Sequence, residues 1–310
     1  MQRSIVREKD NPRKRWDWLL LIAGSFFSGL ILVGVLLFWP VTEKTATARF
    51  SPFAIPEPPP AAAPSDNNVA EPTEADSRPM LAIVVGDLGY DPVRDADWLN
   101  VPIQVTLAIL PYGPSSSTMA SSARDRGHCV ILHVPMEPRS AVADDQIEPY
   151  LMRVGMERDE IVGMLMRMVQ EIPHVAGAMN HMGSAFTTDQ ESMELFAEAL
   201  KEANIFFVDG VTAPGSLGQS VLRKAGVPVA SRDVFLDDDP SPAAMRRRWN
   251  EAVLLAKKKG RALLVCQSRR ETLNMLSSLL PEVEKEGIRL VAVTELLDKL
   301  PAADVLAQEE

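Results

Sequence analysis

Cysteine is nearly absent from the 310 residues, with only Cys129 and Cys266 present. Two cysteines exclude a disulfide framework and a Cys-rich zinc site. Histidine is scarce too, with four in the whole chain. There is no Gly-rich phosphate loop and no basic stripe, so the chain lacks the usual means of holding nucleotides. The net charge of −10 is unevenly placed: residues 1–40 hold six Lys/Arg against three Asp/Glu. The remainder is therefore strongly acidic and repels phosphate backbones, which excludes nucleic acid as a partner.

One long apolar run stands out. Residues 18–39 carry no formal charge and are dominated by Leu, Ile, Val, Phe and Gly. At 1.5 Å per residue such a helix is roughly 33 Å long, enough to cross a hydrocarbon core of about 30 Å. Trp16, Trp18 and Trp39 mark its ends, where indole rings favour the headgroup region. Arg3, Arg7, Lys9, Arg13, Lys14 and Arg15 precede it. This asymmetry predicts a basic cytoplasmic tail over 1–15, a single-pass anchor over 16–40 and everything beyond on the outer side of the inner membrane. A cleaved signal peptide is the alternative, and Ala46-Thr47-Ala48 offers a small-residue pattern for it. The run exceeds the usual 7–15 apolar residues of such a peptide, which favours an anchor.

Residues 41–79 are rich in Pro, Ala, Asp and Glu, with a run at Pro58, Pro59 and Pro60. They bury too little apolar surface to offset ordering entropy and read as a disordered spacer. From 80 to 300 the pattern becomes that of one α/β domain, followed by a short acidic tail over 301–310. Strands are expected at 81–85, 103–109, 130–134, 175–179, 205–208, 234–236, 262–266 and 289–292. Helices are expected at 114–126, 157–171, 189–203, 242–259 and 271–287. Strands this continuously apolar suit a parallel sheet covered on both faces, and the number of units favours a β/α barrel over a five-stranded open sheet.

In such folds the working residues lie just past the carboxyl ends of the strands. That rule selects Gly86-Asp87, His133 with Glu137, Asn180-His181, Asp209, Asp237 and Gln267. Asp87, His133 and His181 form a mixed carboxylate and imidazole set suited to a catalytic divalent metal, zinc in particular. Each also has a structural reading: Asp237 and Asp239 suit helix caps, and a strand-end His often serves only packing. His128 opens its strand and belongs to the opposite rim, and His174 sits in a polar turn; neither is assigned a role. Cys129 begins a strand and Cys266 ends one, too far apart for a disulfide.

The stretches LAIVVGDLGY (81–90), VTLAILPYGP (105–114), HCVILHVPMEP (128–138), NHMGSAFTTD (180–189), FFVDGVT (206–212) and RDVFLDD (232–238) together resemble the divergent polysaccharide deacetylase family. The resemblance implies a distorted seven-stranded β/α barrel and metal-dependent hydrolysis of acetamido groups on carbohydrate, here cell-envelope glycan. It implies Asp87, His133 and His181 as metal ligands and places Asn180 and Asp237 among substrate contacts. In the family, strand one ends in an Asp-Asp pair whose first member is the base, and the seventh-strand turn carries a His acid. Here those positions are Gly86 and Gln267, neither of which carries a proton at neutral pH. Glu137 or Asp209 are the candidate substitute bases. The Asp-Ser-Arg-Thr-like pattern has become Asp209-Gly210-Val211-Thr212, which removes a cation from the cleft. Two functions follow: a deacetylase, or a catalytically impaired relative that binds glycan or an envelope protein partner.

Overall fold

The computed structural model describes residues 76–111, 113–140, 147 and 150–297. The tail at 1–15, the span at 16–40, most of the linker and the segment 301–310 lie outside the described residues. Among the described residues no helix is long and apolar enough to cross a membrane.

Nine strands form one sheet: β1 (Met80–Leu88), β2 (Thr106–Ile109), β3 (Cys129–Met136), β4 (Gly177–Met182), β5 (Phe206–Asp209), β6 (Val229–Ser231), β7 (Val234–Phe235), β8 (Arg261–Gln267) and β9 (Arg289–Val291). Every ladder is parallel. Eight strands run in the order β6-β5-β4-β3-β2-β1-β8-β7, and β9 pairs with β1 off that path. The expected count of seven is thus corrected. The additional strand on the path is β6, whose three residues sit between Pro228 and Arg232 and are too short to show periodicity. The two ends of the path, β6 and β7, are separated in sequence only by Arg232 and Asp233. The Arg232 N–H donates to the Asp209 carbonyl (2.9 Å) and the Asp233 N–H to that of Leu263 (2.9 Å), so the chain switches partner there. No ladder joins β6 to β7 among the described residues, and the sheet is an open half-barrel rather than a closed one.

Among the described residues eight α-helices cover the outside: α1 (Pro92–Ala96), α2 (Ser116–Asp125), α3 (Arg158–Glu171), α4 (Gln190–Ala203), α5 (Gly218–Lys224), α6 (Pro242–Lys259), α7 (Arg270–Lys285) and α8 (Val293–Leu297). The five expected helices correspond to α2, α3, α4, α6 and α7. Helix starts follow local chemistry. Glu157 and Glu160 form a reciprocal capping box at α3, and Asp189 accepts from the Ser192 N–H at α4; caps of this kind contribute about 1 kcal/mol each. Strand β2 begins three residues later than expected because β9 occupies the edge of β1 at Met80–Ala82, so β2 can join only from Val84 onward.

The pleat sorts the core into two layers. Leu81, Ile83 and Val85 pack outward among residues such as Leu107, Leu132, Trp98 and Trp249. Met80, Ala82 and Val84 pack inward with Ala108, Ile131, Met179, Val208, Leu263 and Val265. Carried to the carboxyl rim with period two, the inward positions are Gly86, His133, His181, Gly210 and Gln267.

Candidate metal centre and cleft

All five of those inward positions line one cleft of about 330 Å³ at the carboxyl rim, together with Asp87, Asn180, Val211, Arg232, Phe235 and Asp238. Asp87 reaches this face by another route. By alternation it would point outward, but β1 shifts register between Val85 and Leu88, and Asp87 takes a φ of +63°. That is the left-handed region, which Asp tolerates better than most residues. The irregularity turns the carboxylate into the barrel, a common use of strand bulges beside active sites.

Asp87 Oδ1 lies 3.2 Å from His133 Nε2 and 3.0 Å from His181 Nδ1. The imidazoles meet edge to face with centroids 4.9 Å apart. One ligating atom from each of the three residues falls within 4.8 Å of the others. His133 Nδ1 sits 3.3 Å from the Met179 carbonyl. A carbonyl only accepts, so Nδ1 carries the hydrogen and Nε2 presents its lone pair to Asp87. Burial disfavours a second proton on His133 and lowers its pKa. Burial also works against the Asp87 charge, yet the hydrogen-bonding imidazoles of His133 and His181 hold its carboxyl well below the usual range. A lone pair on Nε2 beside an ionised carboxylate is a donor pair that a divalent cation satisfies, where a proton on Nε2 would otherwise do so. The donor set therefore fits a divalent metal, and the Met179 carbonyl orients His133 from behind.

The other expected site residues are spread more widely. Asn180 lines the cleft, with Oδ1 accepting from the Gly210 N–H (2.7 Å) and Nδ2 donating to the Met182 carbonyl (2.8 Å). Asp209 points away from it, since its neighbour Val208 packs inward; its oxygens accept from the Val211 N–H (2.8 Å) and Ser216 Oγ (2.9 Å). Burial raises the Asp209 pKa. Glu137 Oε2 accepts from the Val154 N–H (2.7 Å) and is not among the cleft residues. Asp237 is fully buried, accepts from the Gln267 N–H and Thr272 Oγ1 (2.6 Å), and is likewise absent from the lining. Neither Asp237 nor Asp239 is the cap of α6: that position is Ser241, whose N–H donates to Asp239 (2.9 Å).

His128 lies away from the cleft: Nδ1 accepts from the Val105 N–H (3.4 Å) and Nε2 faces the Leu99 carbonyl (3.3 Å). Cys129 opens β3 while Cys266 lies near the end of β8, and both are free thiols.

Residues not singled out from the sequence complete the cleft. Arg232 donates from Nε to the Gly210 carbonyl and from Nη2 to the Val211 carbonyl, both at 2.6 Å, and its guanidinium lies 5.1 Å from the Phe235 ring centroid. The expected loss of a cleft cation at residues 209–212 is thus met by Arg232, supplied from the β6–β7 junction. Asp238 is exposed and, with Asp87, is one of two carboxylates in the lining. Arg232 and Asp238 both lie within the 232–238 stretch, where the signal was a motif match without periodicity. Gly86 and Gln267 are Cα partners across the β1–β8 ladder, so the two unusual positions are neighbours.

Comparison with known proteins agrees with this architecture. The chain is 32% identical over 219 residues to the uncharacterized protein YibQ of Escherichia coli strain K12, covering 71% of this chain and 67% of YibQ. It is 32% identical over 216 residues to an uncharacterized protein of Haemophilus influenzae (strain ATCC 51907 / DSM 11121 / KW20 / Rd), covering 70% and 76% respectively. The crystal structure of the uncharacterized protein ATU2773 from Agrobacterium tumefaciens C58 superposes with a TM-score of 0.68 at 25% identity, covering 73% of this chain and 92% of that one. Residues 83–297 match the divergent polysaccharide deacetylase family, and the chain belongs to it.

Proposed function

We propose that the chain is a membrane-anchored, metal-dependent carbohydrate deacetylase of the cell envelope, acting on N-acetyl groups of envelope glycan. The observation that carries this reading is the convergence of Asp87 Oδ1, His133 Nε2 and His181 Nδ1 at the bottom of an open cleft. Asp87, His133 and His181 would hold the ion, and their nitrogen and oxygen donors suit zinc. When bound, such an ion supplies Lewis acidity toward an acetyl carbonyl and lowers the pKa of water. The chain's own residues do the rest. Met179, Val211, Phe235 and Val265 provide apolar wall for the sugar and its methyl group. Gln267 can donate or accept a hydrogen bond at the amide but cannot relay a proton. Asp238 is the lining carboxylate left outside the ligand set, and it stands exposed in the cleft.

One observation favours a second reading, in which the cleft binds glycan or an envelope partner with little turnover. Gly86 and Gln267 face each other where the family's base and acid are expected, and Glu137 and Asp209 are tied to backbone N–H groups elsewhere. Losing general acid or base catalysis costs about 10²–10⁴-fold for each group.

Metal analysis of the purified chain combined with acetate release from N-acetylated envelope glycan tests the proposal. Roughly one divalent ion per chain and measurable acetate release are expected. A stoichiometric ion without acetate release would select the binding reading, and a chain that holds no ion would remove the metal-dependent one.

A further inference from the structure

Five non-glycine residues among those described have positive φ, and three of them, Asp87, Met182 and Val211, stand on the cleft rim. Val211 is the most unusual of the three. It is β-branched, and its φ of +46° lies where such a side chain collides with its own backbone. A conformation of that kind persists only where its surroundings over-determine it.

The surroundings of Val211 supply that constraint. Arg232 grips the carbonyls of Gly210 and Val211 through Nε and Nη2. Asp209 Oδ1 takes the Val211 N–H, and the Arg232 N–H is itself tied to the Asp209 carbonyl. Phe235 supports the guanidinium from the other side. The loop so held reaches across to β4. The Gly210 N–H donates to Asn180 Oδ1, and Thr212 Oγ1 donates to the Met182 carbonyl at 2.7 Å. Asn180 Nδ2 closes the ring by donating to the same Met182 carbonyl. Asn180 and Met182 are the residues immediately before and after His181.

We propose that Arg232 is a positioning residue for the metal centre: it holds residues 210–212 in their strained conformation, and that loop fixes the turn carrying His181. The inference rests on the reading that Asp87, His133 and His181 hold a metal. A planar guanidinium matches two successive carbonyls at once, whereas an ammonium is a point donor and cannot reproduce the fork. The strain at Val211 makes the dependence specific. Without the fork, the loop relaxes toward an ordinary φ, the Gly210 N–H and Thr212 hydroxyl leave β4, and His181 loses its orientation toward Asp87. Outer groups that orient ligands typically change metal affinity by about 10–100-fold.

The test uses the full chain with Co²⁺ as a spectroscopic probe and a chelator competition to measure Zn²⁺ affinity. Arg232→Lys is expected to lose about 10–100-fold in affinity and to alter the Co²⁺ visible spectrum. The metal-free chain should change far less in thermal midpoint than the metal-loaded chain does. Val211→Gly removes the conformational strain, so the double variant Val211→Gly/Arg232→Lys should bind within about threefold of Val211→Gly alone. Thr212→Val, which removes the hydroxyl on the far side of the loop, should weaken binding even if Arg232→Lys does not fold. Arg246→Lys, in an ion pair with Glu282 between α6 and α7, should leave affinity unchanged. Wild-type affinity and spectrum in a folded Arg232→Lys would overturn the inference, and so would wild-type affinity in Thr212→Val if Arg232→Lys does not fold. So would an undiminished loss in the double variant. A wild-type chain that binds neither ion would instead overturn the metal reading on which the inference stands.

Discussion

A Cβ added to Gly86 would lie 3.1 Å from Nε2 of His133, the nitrogen that faces Asp87. The same Cβ would meet Met179 Cε at 3.5 Å and the Cys266 carbonyl at 3.7 Å. The glycine therefore does more than omit a carboxylate: it leaves room for a metal ligand in its present place.

Two variants separate these effects. The backbone at Gly86 is not in the left-handed region, so a side chain there meets crowding rather than conformational strain. Gly86→Ala should push His133 by a few tenths of an ångström and weaken metal binding by up to about tenfold, within the range seen when ligand positioning is disturbed. Gly86→Asp carries the same crowding but adds a base, and with Gln267→His it restores both proton-transfer groups across one ladder step. Acetate release by the double variant should rise by at least about 10²-fold over wild type. A folded, metal-loaded double variant with no gain would leave glycan or partner binding as the function of the cleft.

The two histidine ligands should differ in what their loss does to the empty protein. At a metal concentration 100 times Kd, binding stabilises the fold by about 2.7 kcal/mol, which for 150–250 residues is roughly 5–10 °C in thermal midpoint. A chelator should therefore lower the wild-type midpoint by that much and leave His181→Ala unmoved. His133→Ala should lose the metal response and also destabilise the metal-free chain, because His133 is buried and its removal strands the Met179 carbonyl. Equal midpoints for the two metal-free variants would contradict the role given to His133.

The proposed anchor makes a separate prediction. Full-length protein should stay in the membrane fraction through a high-salt wash, and protease should reach its domain only from the outer side. A soluble mature form beginning near Arg49 would show that residues 18–39 act as a cleaved leader.

What could be read from the sequence was whatever periodicity and strand-end position encode. His133, His181 and Gln267 follow from apolar runs whose alternate residues face inward, so their shared rim was legible before any coordinates. Asp87 was found for its place at a strand end, but its inward aim depends on a bulge that alternation does not announce. Glu137, Asp209 and Asp237 satisfied the same positional rule, yet the structure ties each to backbone or hydroxyl donors away from the lining. Position at a strand end does not say which way a side chain turns. Arg232 was visible only as the first residue of the 232–238 match, not as a cleft residue: it lies where a strand changes partner, and β6 before it is too short to show a pattern. The short strands and helices missed, β6, α1, α5 and α8, share that cause.

Two nearby carboxylates should respond to pH in opposite senses. Asp237 is fully enclosed, and burial raises its pKa despite hydrogen bonds from Thr272 and Gln267. The folded chain thus binds this proton more tightly than the unfolded chain, and stability is drawn down as pH rises from near 3.9 through the folded value. Asp239 has the reverse balance: the Ser241 backbone N–H, then its side chain, hold Asp239 below the usual carboxylate range. Its contribution is present above the unfolded value and is lost as pH falls through the folded one. Asp237→Asn keeps an acceptor for the Gln267 N–H, and its amide can donate to Thr272 Oγ1 once that hydroxyl turns. Urea denaturation with chelator present, between pH 4 and pH 8, should show Asp237→Asn gaining on wild type as pH rises. Asp239→Asn should lie behind wild type across this interval and converge with it only below pH 4, as pH falls through the folded value. Parallel curves for the two variants would mean that neither carboxylate changes its proton affinity on folding, and the environments assigned to them would be wrong.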